Sequence, residues 1–256
     1  MPRFFVPSAN VDGGTIRITG DDARHIARAL RMAVGETVTV CDMHGGAHTC
    51  ELVRITDTES TLRILESHPS DTEPPLRTVL YQAFPKGDKM DYIVQKAVET
   101  GAYAVVPFLS ERCISRPDGT ALEKKVARWQ RIALEAAKQC GRGVVPTVRQ
   151  PLTYAQMLAE ASQARIPCFC YEGDGTRSLR EVLQTARSKS PQSSPDGTAQ
   201  GADLSLVVGC EGGFSLAEAS DAAASGFALC ALGKRILRCE SASAFALACI
   251  AYEFEL

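Results

Sequence analysis

No apolar run of about 18 residues, the length a membrane-spanning helix requires, occurs in this 256-residue chain. The opening MPRFFVPSANVDGG likewise lacks the apolar stretch of a secretory signal, so a cytoplasmic location is the expectation. Histidine is scarce, at four residues, and none is spaced against a cysteine as zinc ligands are. The 10 cysteines contain no CxxC, and the nearest pair is Cys168 and Cys170. No metal site is expected, and reduced thiols are the default. Cys168, Cys170, Cys230 and Cys249 fall in apolar patterns, where a thiol packs as a small hydrophobe. Neither GxGxxG nor GxxxxGK followed by Ser or Thr is present, which removes two common phosphate cradles. Charge of one sign is not in excess either. The formal net charge is −2, which taken whole argues against a nucleic-acid binder.

What is present begins with enough apolar content, 45%, for a sizeable core. The length suits two domains. Residues 1–73 read as a small β-rich domain. Thr15 to Thr19 alternates like a half-buried strand, and Thr37 to Val40, His48 to Arg54 and Thr61 to Leu65 supply further strands. A helix is expected over Asp21 to Met32. Glu73-Pro74-Pro75 reads as a linker. Residues 76–256 then alternate strand and helix, which predicts an α/β domain with parallel strands and right-handed crossovers. Residues 188–202, rich in Ser, Pro and Gly, read as a flexible insertion. The last helix, Ala242 to Tyr252 or beyond, is apolar almost all round, so a second copy of the chain is expected to cover it.

Splitting the charge changes the reading of the total. Arg112 to Arg149 holds 9 basic and 3 acidic residues, whereas Met1 to Pro75 holds 7 and 11. In the long helix over Ala121 to Gly141, the charges Lys124, Arg128, Arg131, Glu135, Lys138 and Arg142 step by four, three, four, three and four residues and share one face. Arg24, Arg28 and Arg31 do the same on the earlier helix. Either stripe is a phosphate-contacting surface or an ordinary solvated helix face.

One stretch organises the rest: Leu204 to Ser241. Two buried-strand signals each run into a turn, GCEGGFS and LGKRILRCESAS. Glycine turns at the ends of neighbouring parallel strands frame one ligand crevice. Glu211 within the first turn argues against a pyrophosphate and suits a neutral or cationic ligand. The second turn places Arg238 and Glu240 directly before an apolar helix. Ser215 is placed to cap the helix after the first turn, and Glu240 or Ser241 that after the second.

At these residues the chain resembles the RsmE-type 16S ribosomal RNA uridine-N3 methyltransferases, enzymes of the SPOUT class. GCEGGFSLAE followed by LGKRILRCESA carries most of the resemblance. MPRFFV, His25 with Leu30-Arg31, KGDK at Lys86 to Lys89, QKAVETG at Gln95 to Gly101, and EAAKQCGR at Glu135 to Arg142 extend it over nearly the whole chain. Cys210 stands where the family usually has proline. The resemblance implies an N-terminal PUA-like β-barrel and a C-terminal SPOUT α/β domain with a trefoil knot, assembled as a homodimer through the C-terminal helix. It implies S-adenosylmethionine as methyl donor, held by three loops: Tyr171 and Glu172; Gly209, Glu211, Gly212 and Gly213; and Leu232, Gly233, Ile236, Leu237, Arg238, Glu240 and Ala242. It implies 16S ribosomal RNA or the small ribosomal subunit as partner, with no metal. Arg24, Arg28, Arg31, Lys86, Lys89, Arg112, Lys124, Arg128, Arg131, Lys138 and Arg142 are the expected RNA contacts. Methylation at a uracil nitrogen requires loss of its proton, for which Glu211 and Glu240 are the candidate bases. Arg238 is the candidate to stabilise the uracil oxyanion, or equally to bind RNA phosphate. Another RNA position, a ribose 2′-hydroxyl, or a non-enzymatic assembly role are the alternatives.

Overall fold

A computed structural model of the chain describes residues 1–116, 119–189 and 202–256. The chain divides into two compact units, one of residues 1–73 and 135–145, the other of residues 74–134 and 146–256.

The first unit is a six-stranded half-barrel. Its strands are β1 (Arg3–Phe5), β2 (Val11–Asp12), β3 (Thr15–Thr19), β4 (Thr37–Cys41), β5 (Gly46–Ile55) and β6 (Glu59–Pro69), in the order β1-β4-β5-β6-β3-β2. Alternation explains the core. Ile16 and Ile18 of β3 point inward between outward Thr15, Arg17 and Thr19. They pack with Phe4, Val38, Val40, Leu52 and Leu62, and with Ile26 from the short helix that follows.

That helix departs from expectation. It is α-helical only over α1 (Asp21–Arg24) and continues as a wider turn through Ala29. The Leu30 N–H donates to the His25 carbonyl, a five-residue step. Arg31 then takes φ 51, a left-handed conformation outside any helix. A regular helix through Met32 therefore does not form. The i, i+4, i+7 face assigned to Arg24, Arg28 and Arg31 is broken by the wide turn.

The second unit is an eight-stranded sheet with all strand pairs parallel. Along the chain it runs β7 (Thr78–Ala83), α2 (Lys89–Glu99), β8 (Ala104–Leu109), α3 (Gly119–Cys140), β9 (Thr147–Val148), β10 (Leu152–Thr153), α4 (Tyr154–Ala161) and β11 (Ile166–Cys170). There follow β12 (Arg177–Ser178), α5 (Leu179–Lys189), β13 (Leu204–Val208), α6 (Leu216–Ala224), β14 (Ala228–Ala231) and α7 (Cys239–Phe254). The end of α3, from Glu135, belongs to the first unit. The strand order is β10-β8-β7-β13-β11-β14-β12, with β9 paired to β8. Every residue of β7 and β13 is buried, as expected for strands covered on both faces. The crossing back of β13 between β7 and β11 sets β11, β13 and β14 side by side. The loops leaving their C-terminal ends are therefore neighbours.

The polar residues before α7 do not cap it. Arg238 is the N-cap residue and Glu240 sits in the first turn, neither making a side-chain cap. Helix α7 is not bare on all sides. Ala242, Ser243, Ala246, Leu247 and Ile250 are buried, and the helix packs on α2 and α5. No helix of the described residues is long and apolar enough to cross a membrane. The expected insertion at 188–202 lies, apart from its ends, outside the described residues.

Candidate active site

Three strand ends build one cleft of about 600 Å³ in the second unit. After β11, the Tyr171 N–H donates to the Cys230 carbonyl at 3.0 Å, which fixes the first loop against β14. A Cβ at Gly173 would lie 2.4 Å from the Tyr171 ring, so any larger residue there would displace that ring. After β13, the Gly213 N–H donates back to the Cys210 carbonyl at 3.0 Å. Gly213 takes φ +62, which glycine adopts without strain and L residues rarely do. Phe214 then seats its ring 4.2 Å from that of Phe169, fixing the end of the turn to the sheet. Ser215 caps α6, accepting from the Glu218 N–H, while the Glu218 carboxylate accepts from the Ser215 N–H at 2.9 Å.

The third loop runs from β14 to α7. It contributes Leu232, Gly233, Ile236, Leu237, Arg238 and Ala242 to the cleft, together with Lys234, Arg235 and Cys239. Of the residues expected to hold the donor, Tyr171, Glu172, Gly209, Glu211 and Gly213 also line it. Gly212 and Glu240 do not. Gly212 faces Arg112, whose guanidinium donates to its carbonyl at 2.9 Å.

Buried Gln82 is a support the sequence reading did not find. Its amide nitrogen donates to the Gly209 carbonyl at 3.1 Å, and its amide oxygen accepts from the Ser243 hydroxyl at 2.5 Å. One side chain thus ties the first turn to α7. A lone Gln inside an apolar strand was the available signal, because a buried amide requires partners.

The charges at the cleft edge centre on Lys89. Its ammonium lies 2.9 Å from Glu211 Oε1 and 3.3 Å from Glu240 Oε2. The Lys86 backbone N–H donates to both Glu211 oxygens, at 3.1 and 3.3 Å. Burial pushes both carboxyls up, but it is outweighed and both lie below the usual range. For Glu211 the hydrogen bonds from Lys89 and the Lys86 N–H do this. For Glu240 its own N–H, the Cys239 thiol and Lys89 do. The Lys89 ammonium is raised in turn, first by its hydrogen bond to Glu211. Burial pushes the neighbouring Cys239 thiol up to about 12, so it stays neutral. The cleft edge therefore offers two ionised carboxylates around one ammonium.

Residues 72–251 match the model of an RNA methyltransferase domain, and residues 18–65 match that of an RNA methyltransferase PUA domain. The ribosomal RNA small subunit methyltransferase E of Bacillus subtilis is 31% identical, over 100% of this chain and 98% of its own. The chain belongs to the ribosomal RNA small subunit methyltransferase E family. The Synechocystis member is 32% identical over 96% of this chain and 76% of its own. A crystal structure of the Neisseria gonorrhoeae member, bound to S-adenosyl methionine, is similar with a TM-score of 0.81 and 33% identity. The match covers 98% of this chain and 97% of that one.

Within this family member the expected RNA contacts divide sharply. Arg142 is buried and pairs with Glu73, its Nη2 2.5 Å from the carboxylate; Glu73 also accepts the Gly143 and Val144 N–H groups. Lys138 pairs with Asp22 at 2.8 Å. Lys89 is held between the two glutamates, and Arg112 lines the cleft. These four each have a partner within the protein; Arg142 is buried, Lys138 and Lys89 are part-buried, and Arg112 is exposed. For Lys138 and Arg142 the reason is that helical spacing specifies a face, not what the fold brings against it. Arg24 pairs with Asp21, Arg28 with Asp57 and Arg128 with Asp91, all at exposed positions. Lys86, Lys124, Arg131 and Arg31 also stand exposed.

Proposed function

We propose that this protein methylates N3 of a uridine in 16S ribosomal RNA, using S-adenosylmethionine. The observation that carries this reading is the single cleft made by three loops on adjacent parallel strands, at the motif residues named from sequence. The cleft suits the donor. Its volume falls in the range of small-molecule sites, its floor is apolar at Val208, Phe214 and Leu232, and Glu211 offers a negative charge to a cationic ligand. When bound, the donor supplies an electrophilic methyl on a positively charged sulfur.

The chain's own residues supply the rest. The glycine loops and Gln82 hold the cleft in shape, which is an orientation task. A carboxylate of the Glu211 and Glu240 pair takes the N3 proton, leaving its electron pair on nitrogen as the nucleophile. Arg238, exposed at the head of α7, stabilises negative charge on the uracil oxygens. Residues 1–73 serve as an RNA-binding module beside a methyl-transfer domain at 76–256, knotted through the stretch that carries the second and third loops. Exposed Lys124 and Arg131 attract phosphate.

A homodimer in which α7 is covered by a second copy also belongs to this reading. Phe245, Ala248 and Tyr252 form an exposed stripe at helical spacing, Tyr252 72% exposed, and a partner would bury it. Sedimentation of wild type against Tyr252→Glu measures this; a monomeric wild type contradicts the dimer.

The test of activity is mass spectrometry of nucleosides from small subunits, or free 16S RNA, incubated with the protein and donor. The expected product is 3-methyluridine. A 2′-O-methyl nucleoside would assign the second activity, and no methylation of either substrate would leave a binding role.

A further inference from the structure

Lys89 lies outside the cleft lining, yet among the described residues its ammonium is the one group paired with both candidate bases, Glu211 and Glu240. It rides on the first residue of α2, so the helix fixes where its stem begins. Its side chain is 33% exposed, against 29% for Glu211 and 18% for Glu240. Glu211 comes from the turn after β13 and Glu240 from the first turn of α7. The three charges thus arrive from three separate elements.

Consider what the site would be without that ammonium. Without it the two carboxylates would lose the cation they share, and a carboxylate with no opposite charge beside it holds its proton to higher pH. The pair would then be ionised over a narrower pH range, and its acid limb as a base would move upward. The groups facing Lys89 are Glu211, Glu240 and the Cys239 thiol; the Lys86 N–H is the other donor on Glu211. The thiol is neutral and the N–H bears no formal charge. Lys89 is therefore the one ionised cation bonded to the pair among the described residues.

We propose that Lys89 is a positioning residue for methyl transfer: its ammonium keeps Glu211 and Glu240 ionised together, so that one carboxylate faces the cationic donor while the other receives the uracil N3 proton. The proton leaves nitrogen and bonds a carboxylate oxygen, the N–H electron pair stays on nitrogen, and no further reactant is required. Lys89 keeps its own proton throughout. This inference rests on the proposed uracil methylation. It takes Lys89 from the RNA-contacting set and gives it a task inside the chemistry.

The experiment compares wild type, Lys89→Met and Lys89→Arg in the full chain. Two readouts run side by side: carbon-13 NMR titration of glutamate carboxyls in the donor-free protein, assigned with E211Q and E240Q, and the pH profile of kcat. Thermal melts establish that each variant is folded. In Lys89→Met one carboxyl of the pair is expected to titrate about one pH unit or more higher, with the acid limb of kcat moving the same way. Lys89→Arg, which keeps the charge, restores most of both. Unshifted carboxyls in folded Lys89→Met would overturn the proposal. So would a kcat lowered equally at every pH, the mark of a purely structural lysine. A wild-type protein that fails to methylate RNA would count against the proposed function instead, and the carboxyl titrations would still report on Lys89.

Discussion

The cleft edge and the basic segment Arg112 to Arg149 both concentrate charge, and they use it in opposite ways. At the edge, ions of opposite sign converge from α2, the turn after β13 and the start of α7 onto one nitrogen. Along the basic segment, ions of one sign spread out, and each finds a different fate. Arg142 is buried on Glu73, Lys138 pairs with Asp22, Arg128 pairs with Asp91, and Lys124 and Arg131 remain exposed. A cluster near in sequence is thus a set of unrelated contacts, and the cluster that acts as one unit is assembled from distant residues. The same formal charge serves packing in one place and, in the role proposed for Lys89, chemistry in the other.

Four substitutions or conditions sharpen that contrast. The largest effect is expected for Arg142→Ala, which takes the guanidinium from the part-buried Glu73 carboxylate and leaves it the Gly143 and Val144 N–H groups. Urea unfolding should show a loss of about 3–5 kcal/mol, with affinity for S-adenosylhomocysteine unchanged. A near-neutral result would mean Arg142 is a spare surface cation after all.

Next comes double charge reversal at Lys124 and Arg131. RNA affinity should fall about tenfold or more at low salt, and the slope of affinity against salt should flatten by about two phosphate contacts. Stability should hardly move. Binding that stays the same would remove this surface from the RNA interface.

Lys138→Ala should be milder, costing about 1 kcal/mol through its pair with Asp22. It should leave the salt slope of RNA binding intact, whereas a lost contact in that slope would restore Lys138 to the phosphate-facing set.

The smallest effect is the pH dependence of stability. Glu211 and Glu240 have folded-state values below the ordinary range. Their contribution is therefore present above the ordinary carboxylate pKa and lost as pH falls through the lowered values. Melting temperature should show no inflection from this pair at neutral pH, and Lys89→Met should lose stability at higher pH than wild type does. An inflection near pH ~6–7, where a raised carboxyl would titrate, would mean the pair is not held ionised.

Much of the fold was legible because its signals are local. Alternation in Thr15 to Thr19 named the buried Ile16 and Ile18, and predominantly apolar runs marked the central strands β7 and β13. Glycine turns marked where the loops leave the sheet, and Ser215 with Glu218 spelled a capping box. The wide turn after Arg24 was not legible, because five-residue hydrogen bonding leaves no composition mark. For the site, turn residues were readable and partnerships were not. Lys89 lies more than a hundred positions from either glutamate, and nothing in KGDK says what its side chain meets. Gln82 is the same case: the fold supplies its partners Gly209 and Ser243.

The most direct test of the account is a crystal structure of the protein with S-adenosylhomocysteine. The account predicts the ligand between the loops that follow β11, β13 and β14, against Tyr171, Gly209, Glu211 and Leu232, with Lys89 still bridging Glu211 and Glu240. A ligand seated elsewhere on the chain, with that cleft empty, would contradict it.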